Sequence, residues 1–266
     1  MKDKPIVLNG VGKAFITSVS NGKVQRVPLG TLQDMKITFS GSSEKIFGGD
    51  STSPIYIINK EQEISVSFTE ARFGLAYLNL VRGADLKDSG SCVFDVDPTL
   101  IATGTSFTVP GSMTTIVPES CSVCISDDAD GFDNVQVLTY KATEPGEGEF
   151  TITASGVVTL GKTVTNKYIS VSGLYTDSTA TSAVVTTASL PDYVEIHHVS
   201  MPMKQDTGET VKFHTVIYKA RSTGKLDVDF KRQAAATPEL EFDVLDPKRA
   251  DKAIITITRE VVKAGA

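Results

Sequence analysis

Tryptophan is absent from this 266-residue chain, histidine and cysteine occur three times each, and aromatic residues make up only 7%. Each scarcity removes a class of function. With so few aromatic rings, the chain lacks the stacking platforms that sugar-binding β-proteins use. Cys92, Cys121 and Cys124 are odd in number and confined to one region, so they imply no disulfide framework and fit a chain folded in a reducing cytoplasm. No segment approaches the roughly 18 consecutive apolar residues of a membrane span. The opening Met1–Gly10 carries early charge but no sustained apolar stretch, unlike a Sec-type signal. With 26 basic and 32 acidic residues the formal charge is −6, which gives no electrostatic reason to hold phosphate backbones tightly.

The remaining polar clusters do not assemble into a reaction centre. Asp127-Asp128-Ala129-Asp130-Gly131-Phe132-Asp133 invites a calcium reading. With Gly131 as the sixth loop position, however, Val137 falls where an EF-hand needs a bidentate Glu. Carboxylates around a Gly also make an ordinary turn between strands. Cys121 and Cys124 have CxxC spacing, but no fourth ligand lies nearby and the motif runs into an apparent strand, where i and i+3 point to opposite faces. His197, His198 and His214 are accompanied by no nucleophile motif. Gly10-Val11-Gly12-Lys13 lacks the four-residue gap and the Ser/Thr of a P-loop. No catalytic residue, metal site or cofactor is expected.

What is present is alternation. Val211, Phe213, Thr215 and Ile217 share one face of a first run, and Leu226, Val228 and Phe230 oppose Lys225, Asp227, Asp229 and Lys231 in a second. Leu240, Phe242 and Val244 oppose Glu239, Glu241 and Asp243 in a third, and Ile255 and Ile257 carry a fourth. Period-two patterning puts successive side chains on opposite faces, so these runs predict antiparallel strands, the middle two each with one buried and one solvated, charged face. Upstream, strands are expected at Ala14–Ser18, Gly22–Pro28, Met35–Phe39 and Ile64–Phe68, with Asn21-Gly22 as a hairpin turn and Ser40–Ser43 as a loop. One helix of roughly ten residues is expected after Thr69 as N-cap, with Glu70 in its first turn and Gly83 at its end.

From Ser89 to Thr176 the texture becomes Ser- and Thr-rich, with Pro and Gly turns about every 8–12 residues, the rhythm of a small sandwich. Short strands are expected there, including Gly156–Leu160 and Lys167–Leu174. The expected organisation is a composite β domain of residues 1–86 and 177–266, interrupted by an inserted module at 87–176.

Several landmarks then occur in order: Pro28-Leu29-Gly30-Thr31-Leu32-Gln33-Asp34, Ser53-Pro54-Ile55-Tyr56, the alternating Ile64–Phe68, Gly224–Arg232 and Pro238–Pro247. Together they resemble the tail tube (major tail) proteins of long-tailed bacteriophages, and the middle segment is similar to the immunoglobulin-like modules of such virion proteins. The resemblance implies an all-β, mainly antiparallel fold: a β-sandwich or half-barrel tail-tube domain with one short helix, plus a small β-sandwich insertion. It implies a structural, non-enzymatic protein assembled in the host cytoplasm and carried in the virion tail. Six copies would close into rings that stack into a conduit for the ejected genome. Partners would be further copies, the tape measure, terminator and distal tail proteins, and DNA only in transit, with no membrane. The alternatives are another virion structural protein (head decoration or tail terminator) or a carbohydrate-binding β-sandwich protein.

Within this frame Asp227, Asp229, Glu241 and Asp243 belong to a solvated sheet face that is either the lumen or the exterior. The segment Gly41–Asn59, with Ser42, Ser43, Gly48, Gly49, Asp50 and Ser51, is either an arm reaching a neighbouring ring or an ordinary surface loop.

Overall fold

The computed structural model describes residues 8–20, 23–49, 52–111, 113, 115–205, 208–228, 232 and 237–262. The expected turn at Asn21-Gly22 and the residues Asp50, Ser51, Asp229, Phe230 and Lys231 lie outside the described residues. The elements are β1 (Lys13–Ser20), β2 (Lys23–Leu29), β3 (Leu32–Ile46), β4 (Tyr56–Glu70), α1 (Leu75–Arg82) and β5 (Asp85–Lys87). Next come β6 (Gly90–Thr108), β7 (Ile116–Ser126), β8 (Gln136–Tyr140), β9 (Glu149–Ile152) and β10 (Val157–Asp177). The chain finishes with β11 (Ser182–Val184), β12 (Tyr193–Val199), β13 (Met203–Lys204), β14 (Thr210–Asp227), β15 (Glu239–Val244) and β16 (Ile255–Val262). The fold is therefore nearly all β with mainly antiparallel sheets, as the alternation predicts; β8 and β9 pair in parallel. The strands group into two compact units, Met1–Leu86 with Ala183–Ala266, and Lys87–Ser182.

Unit 1 is a nine-stranded sheet in the order β2-β1-β12-β14-β15-β4-β3, with β13 and β16 also paired to β14. Two of the alternating runs, expected as separate strands, are one strand, β14, that continues through Ser222-Thr223-Gly224. Its first half pairs with β12 on one edge and β16 on the other; its second half pairs with β15. Register shifts mark the change of partner. Val194 and Ile196 of β12 face Ala220 and Ile217, so β14 carries one extra residue there, and Ser222 and Leu226 face Phe242 and Leu240, so it carries two more. Such insertions bend the bulged strand and let it serve two layers. The first layer is β2-β1-β12 with the first half of β14 and β16; the second is the last part of β14 with β15, β4 and β3.

Inward side chains of both layers meet in one core. Ile16, Leu29, Ile196 and Ile217 come from the first layer, and Val66, Phe68, Leu240 and Phe242 from the second. Phe68 and Phe242 pack edge to face at 6.2 Å. The helix contributes Tyr77, Leu80 and Val81 to the same cluster.

The helix is shorter and later than its sequence implies. Glu70 does not open it: Glu70 closes β4, opposite Leu32, and the Ala71 N–H donates to the Thr31 carbonyl, so the ladder claims these residues first. Gly74 becomes the N-cap, and Gly83 ends the helix in the left-handed region, φ 65°. A Cβ at Gly83 would lie 2.1 Å from the Leu190 carbonyl oxygen, so both the conformation and the space require glycine.

Unit 2 is a five-stranded sheet in the order β6-β10-β7-β8-β9 that closes because β9 also pairs with β10. Strand β10 makes this possible through its length. Its first part holds β9 and its second part β7, while β6 runs along its other edge. The sequence breaks β10 into two strands around Gly161–Asn166; in the structure that break is a register shift between Thr159 and Val164. The core of unit 2 centres on Phe150, Val158, Ile169, Val171 and Val123.

Burying a large apolar side chain contributes about 1.5–3 kcal/mol, and removing one leaves a cavity as well. Phe242→Ala, which empties the centre of the unit 1 core, is expected to cost about 3–5 kcal/mol, read as a lower denaturation midpoint at an unchanged m-value.

Candidate functional site

Strands β14, β15, β4 and β3 place one row of side chains in solvent for every row they bury. Register fixes the neighbours. Glu241 faces Ser67, which faces Lys36; Asp243 faces Ser65, which faces Thr38; and Glu239 faces Thr69, which faces Asp34. Asp227 lies opposite Glu239. The sequence-expected Asp227, Glu241 and Asp243 therefore share one face, and Asp227 and Asp243 are exposed. Glu239, read from the sequence as their neighbour in the alternation, lies there too, and the structure adds Asp34 and a floor of Ser and Thr. Those hydroxyl residues alternate with core residues in β3 and β4, and that alternation was the available signal. Lys225 is the main counter-charge, 3.4 Å from Glu239 and 3.6 Å from Asp227. Such exposed pairs are worth about 0–1 kcal/mol, so they leave the face hydrated and net acidic.

Beyond Phe39 and Ile64, strands β3 and β4 continue as a two-stranded hairpin in which every residue from Ser40 to Ile46 and from Tyr56 to Glu63 is exposed. Ser42 and Ser43 lie in β3 and Gly48 and Gly49 near the tip, so the expected loop at Ser40–Ser43 is strand instead. Register continues to Ile46–Tyr56, and the Ile55 N–H donates to the Ile46 carbonyl at 2.8 Å. At about 3.3 Å per residue the ribbon extends roughly 20 Å past the core. It exposes Phe39 (63%), Tyr56 (63%) and Ile57 (51%), side chains that a solvated hairpin gains nothing by displaying.

The other polar groups are structurally committed. Asp128 Oδ1 accepts from the Phe132 and Asp133 N–H groups at 2.9 and 3.0 Å, which holds its carboxyl below the usual range. Asp127 pairs with Lys167 and accepts from Asn134 at 2.7 Å. Cys121 is buried, and burial pushes its thiol pKa up; Cys124, three residues on in the same strand, is only partly buried. Among the described residues, no three His, Cys, Asp or Glu side chains are grouped to hold a metal ion. A cleft of about 480 Å³ in unit 1 is lined by Met35, Ile37, Met203, Phe213, Ile257 and the half-buried His198. His198 Nε2–H donates to the Val11 carbonyl, and burial lowers its pKa.

These features define a protein that presents surfaces: an acidic sheet face, a projecting hairpin and strand edges that no other described strand covers. The chain belongs to the YomU/Tube protein family, whose model matches residues 6–257. It is a structural protein of the phage tail tube, located in the virion tail, and it assembles with itself and with other tail proteins. A tail tube protein of Bacillus phage SPR is 22% identical over 254 residues, covering 94% of this chain and 88% of the relative.

One buried group in unit 1 has a cost that pH reveals. Glu70 is 1% exposed; its Oε1 accepts from the Thr31 N–H at 3.0 Å and from the Thr31 hydroxyl, while Oε2 has no hydrogen-bond partner among the described residues. Burial raises its pKa, against the lowering pull of the Thr31 and Ala71 amides and of Arg72. Burial, with Glu70 nearby, pushes Tyr77 up to about 12. A carboxyl whose folded pKa lies above its unfolded value holds its proton better when folded. Its contribution is therefore most favourable below the unfolded value near 4.5 and declines as pH rises through the folded value. Glu70→Gln, which keeps an acceptor for Thr31, is expected to raise the melting temperature at pH 7.5. The gain over wild type should shrink as pH falls toward 4.5, measured by thermal melts across that range.

Proposed function

We propose that unit 1 is the tube-forming domain and unit 2 an inserted module, and that copies close into rings, six per ring as the family resemblance implies, which stack into the genome conduit. The observation that carries this reading is the β14-β15-β4-β3 layer. It has an acidic, hydroxyl-floored face, and among the described residues its two outer edges, β3 and the end of β14, have no further strand partner. Joining β3 of one copy to the β14 edge of the next satisfies exposed backbone groups and leaves no open edge of that layer in the closed ring. The acidic face then lines the lumen. A duplex passing along Asp227, Glu239, Glu241 and Asp243 meets few cations able to displace its counterions, so it is not retained. Asp229 extends the same alternation in sequence.

Reversing charge on this face tests the lumen assignment. Asp227→Lys combined with Glu241→Lys and Asp243→Lys is expected to leave tubes intact while slowing DNA delivery, with a salt-sensitive hold on duplex DNA in assembled tubes. Unaltered delivery by such tubes sinks the assignment.

The hairpin of β3 and β4 supports the stacking half of the reading. An isolated two-stranded ribbon is marginally stable in water, and its exposed Phe39, Tyr56 and Ile57 gain burial against a neighbouring ring. Replacing Ser43–Ile58 by an Asn-Gly turn is expected to keep rings and the cooperative melt of unit 1 but abolish tubes in negative-stain micrographs. Tubes of normal length would exclude the hairpin from stacking.

A further inference from the structure

The outer face of the other layer, β2-β1-β12-β14-β16, carries the opposite charge. Arg26 lies 4.1 Å from the ring centre of Phe15, which stacks on His197 at 4.6 Å and 6°. Lys219 sits 4.3 Å over Tyr193, and Arg249 sits 4.0 Å over Tyr218. Tyr218 and Lys219 are the two residues of β14 set against the single Glu195, so the first bulge turns both onto this face. Ring contact holds these cations close to the sheet, where they form a broad basic and aromatic surface. Glu195 beside His197, Glu260 beside His214 and Asp251 beside Arg249 offset part of the charge. Lys13, Lys212 and Arg221 add to it, so cations predominate.

The chain's net charge of −6 conceals where the complement lies. Lys87–Ser182 holds twelve acidic and four basic residues, a net of −8, while the rest of the chain holds 20 acidic and 22 basic, a net of +2. Within unit 2 the loop after β7 presents Phe132, 84% exposed, between Asp130 and Asp133. This loop is already ordered: Asp128 accepts from the Phe132 amide, the Asp127 N–H donates to the Asp133 carbonyl at 2.9 Å, and the Ser126 hydroxyl donates to the Asp128 carbonyl at 3.0 Å. An ordered loop costs less entropy to bind, and an exposed aromatic ring flanked by carboxylates matches a surface of cations held over rings.

We propose that this basic face docks the acidic unit 2 of a second copy, with Phe132 against the cation–aromatic row and Asp130 and Asp133 against Arg26 and Lys219. Two different surfaces meet, so the contact is heterologous and propagates from copy to copy instead of closing a two-fold dimer. The inference rests on the self-assembly reading above but not on the acidic lumen or the hairpin.

The test uses two full-length variants, Arg26→Glu/Lys219→Glu and Asp130→Lys/Asp133→Lys, with folding checked by thermal melts. Each alone is expected to weaken self-association at least tenfold in analytical ultracentrifugation at low salt, and wild-type association is expected to weaken at about 0.5 M salt. Mixing the two variants in equal amounts restores association, because each then meets an oppositely charged partner. Unchanged association of folded single variants overturns the proposal while leaving the tube reading in place. So does recovery only when all four changes share one chain, which places the contact within a single molecule. A labelled DNA duplex that binds wild type and not Arg26→Glu/Lys219→Glu assigns the face to nucleic acid instead. A wild-type chain that stays monomeric at every concentration removes the tube reading itself.

Discussion

Everything in unit 1 depends on β14 serving two layers with one strand. Side chains alternate strictly along a strand, so a continuous β14 in perfect register would carry a single inward phase from end to end. The extra residue between Ile217 and Ala220 resets that phase: Val211, Thr215 and Ile217 point inward before it, and Ala220 and Ser222 after it. Without the insertion, Lys219 would take the next inward position after Ile217, an unpaired cation in a core otherwise built from Ile, Val, Leu and Phe. The two further residues around Gly224, φ 84°, let Leu226 meet Leu240 while the strand turns into the second layer. The bulges thus decide which residues become core, and by the same stroke which become the two outer faces.

Those outer faces differ in kind. The β15 side is short-chained and acidic; the β12 side is long-chained, cationic and aromatic. A modest net charge averages over this polarity and over the still larger contrast between the two units. For a protein that must meet copies of itself, the distribution matters more than the sum. Opposite patches on one subunit favour head-to-tail contacts and penalise like-to-like ones, which is how a chain avoids stopping at a dimer.

Much of this was legible in the alternation, because Leu240 and Phe242 against Glu239, Glu241 and Asp243 admit only a half-buried strand. Three features were not. Ser222-Thr223-Gly224 and Gly161–Asn166 carry turn-like residues, and local chemistry does not distinguish a turn from a bulge inside a long strand. Distant partners do: β15 and β16 hold β14 together, and β6 spans the irregular part of β10. The hairpin beyond Phe39 shows no alternation because neither of its faces is buried, so a periodicity search has nothing to find. Glu70 reads as a first-turn helix acid, yet the ladder with β3 captures it, and Thr31 then supplies the hydrogen bonds that a helix N-terminus would have offered. The acidic face was visible as residues but not as a direction, since orientation follows from the bend in β14.

Closure is the remaining constraint. Among the described residues the sheet ends at β2, β3, β16 and the last part of β14, rows of backbone groups without a strand partner, and in solution each row is a template for uncontrolled pairing. Small soluble domains blunt such edges with prolines, inward charges or covering loops. Here β3 runs on for its full 15 residues and carries exposed Phe39 and Ile46. An edge left that open is tolerable only if it is consumed, and a heterologous contact that closes after a fixed number of copies consumes every equivalent edge at once. In the proposed ring the hairpin that continues from the same strand would lie on the rim, where an axial neighbour would cover it. One continuous strand, β3, would in this way carry both the lateral and the axial contact, so that filling a seat in the ring also positions the arm for the next ring.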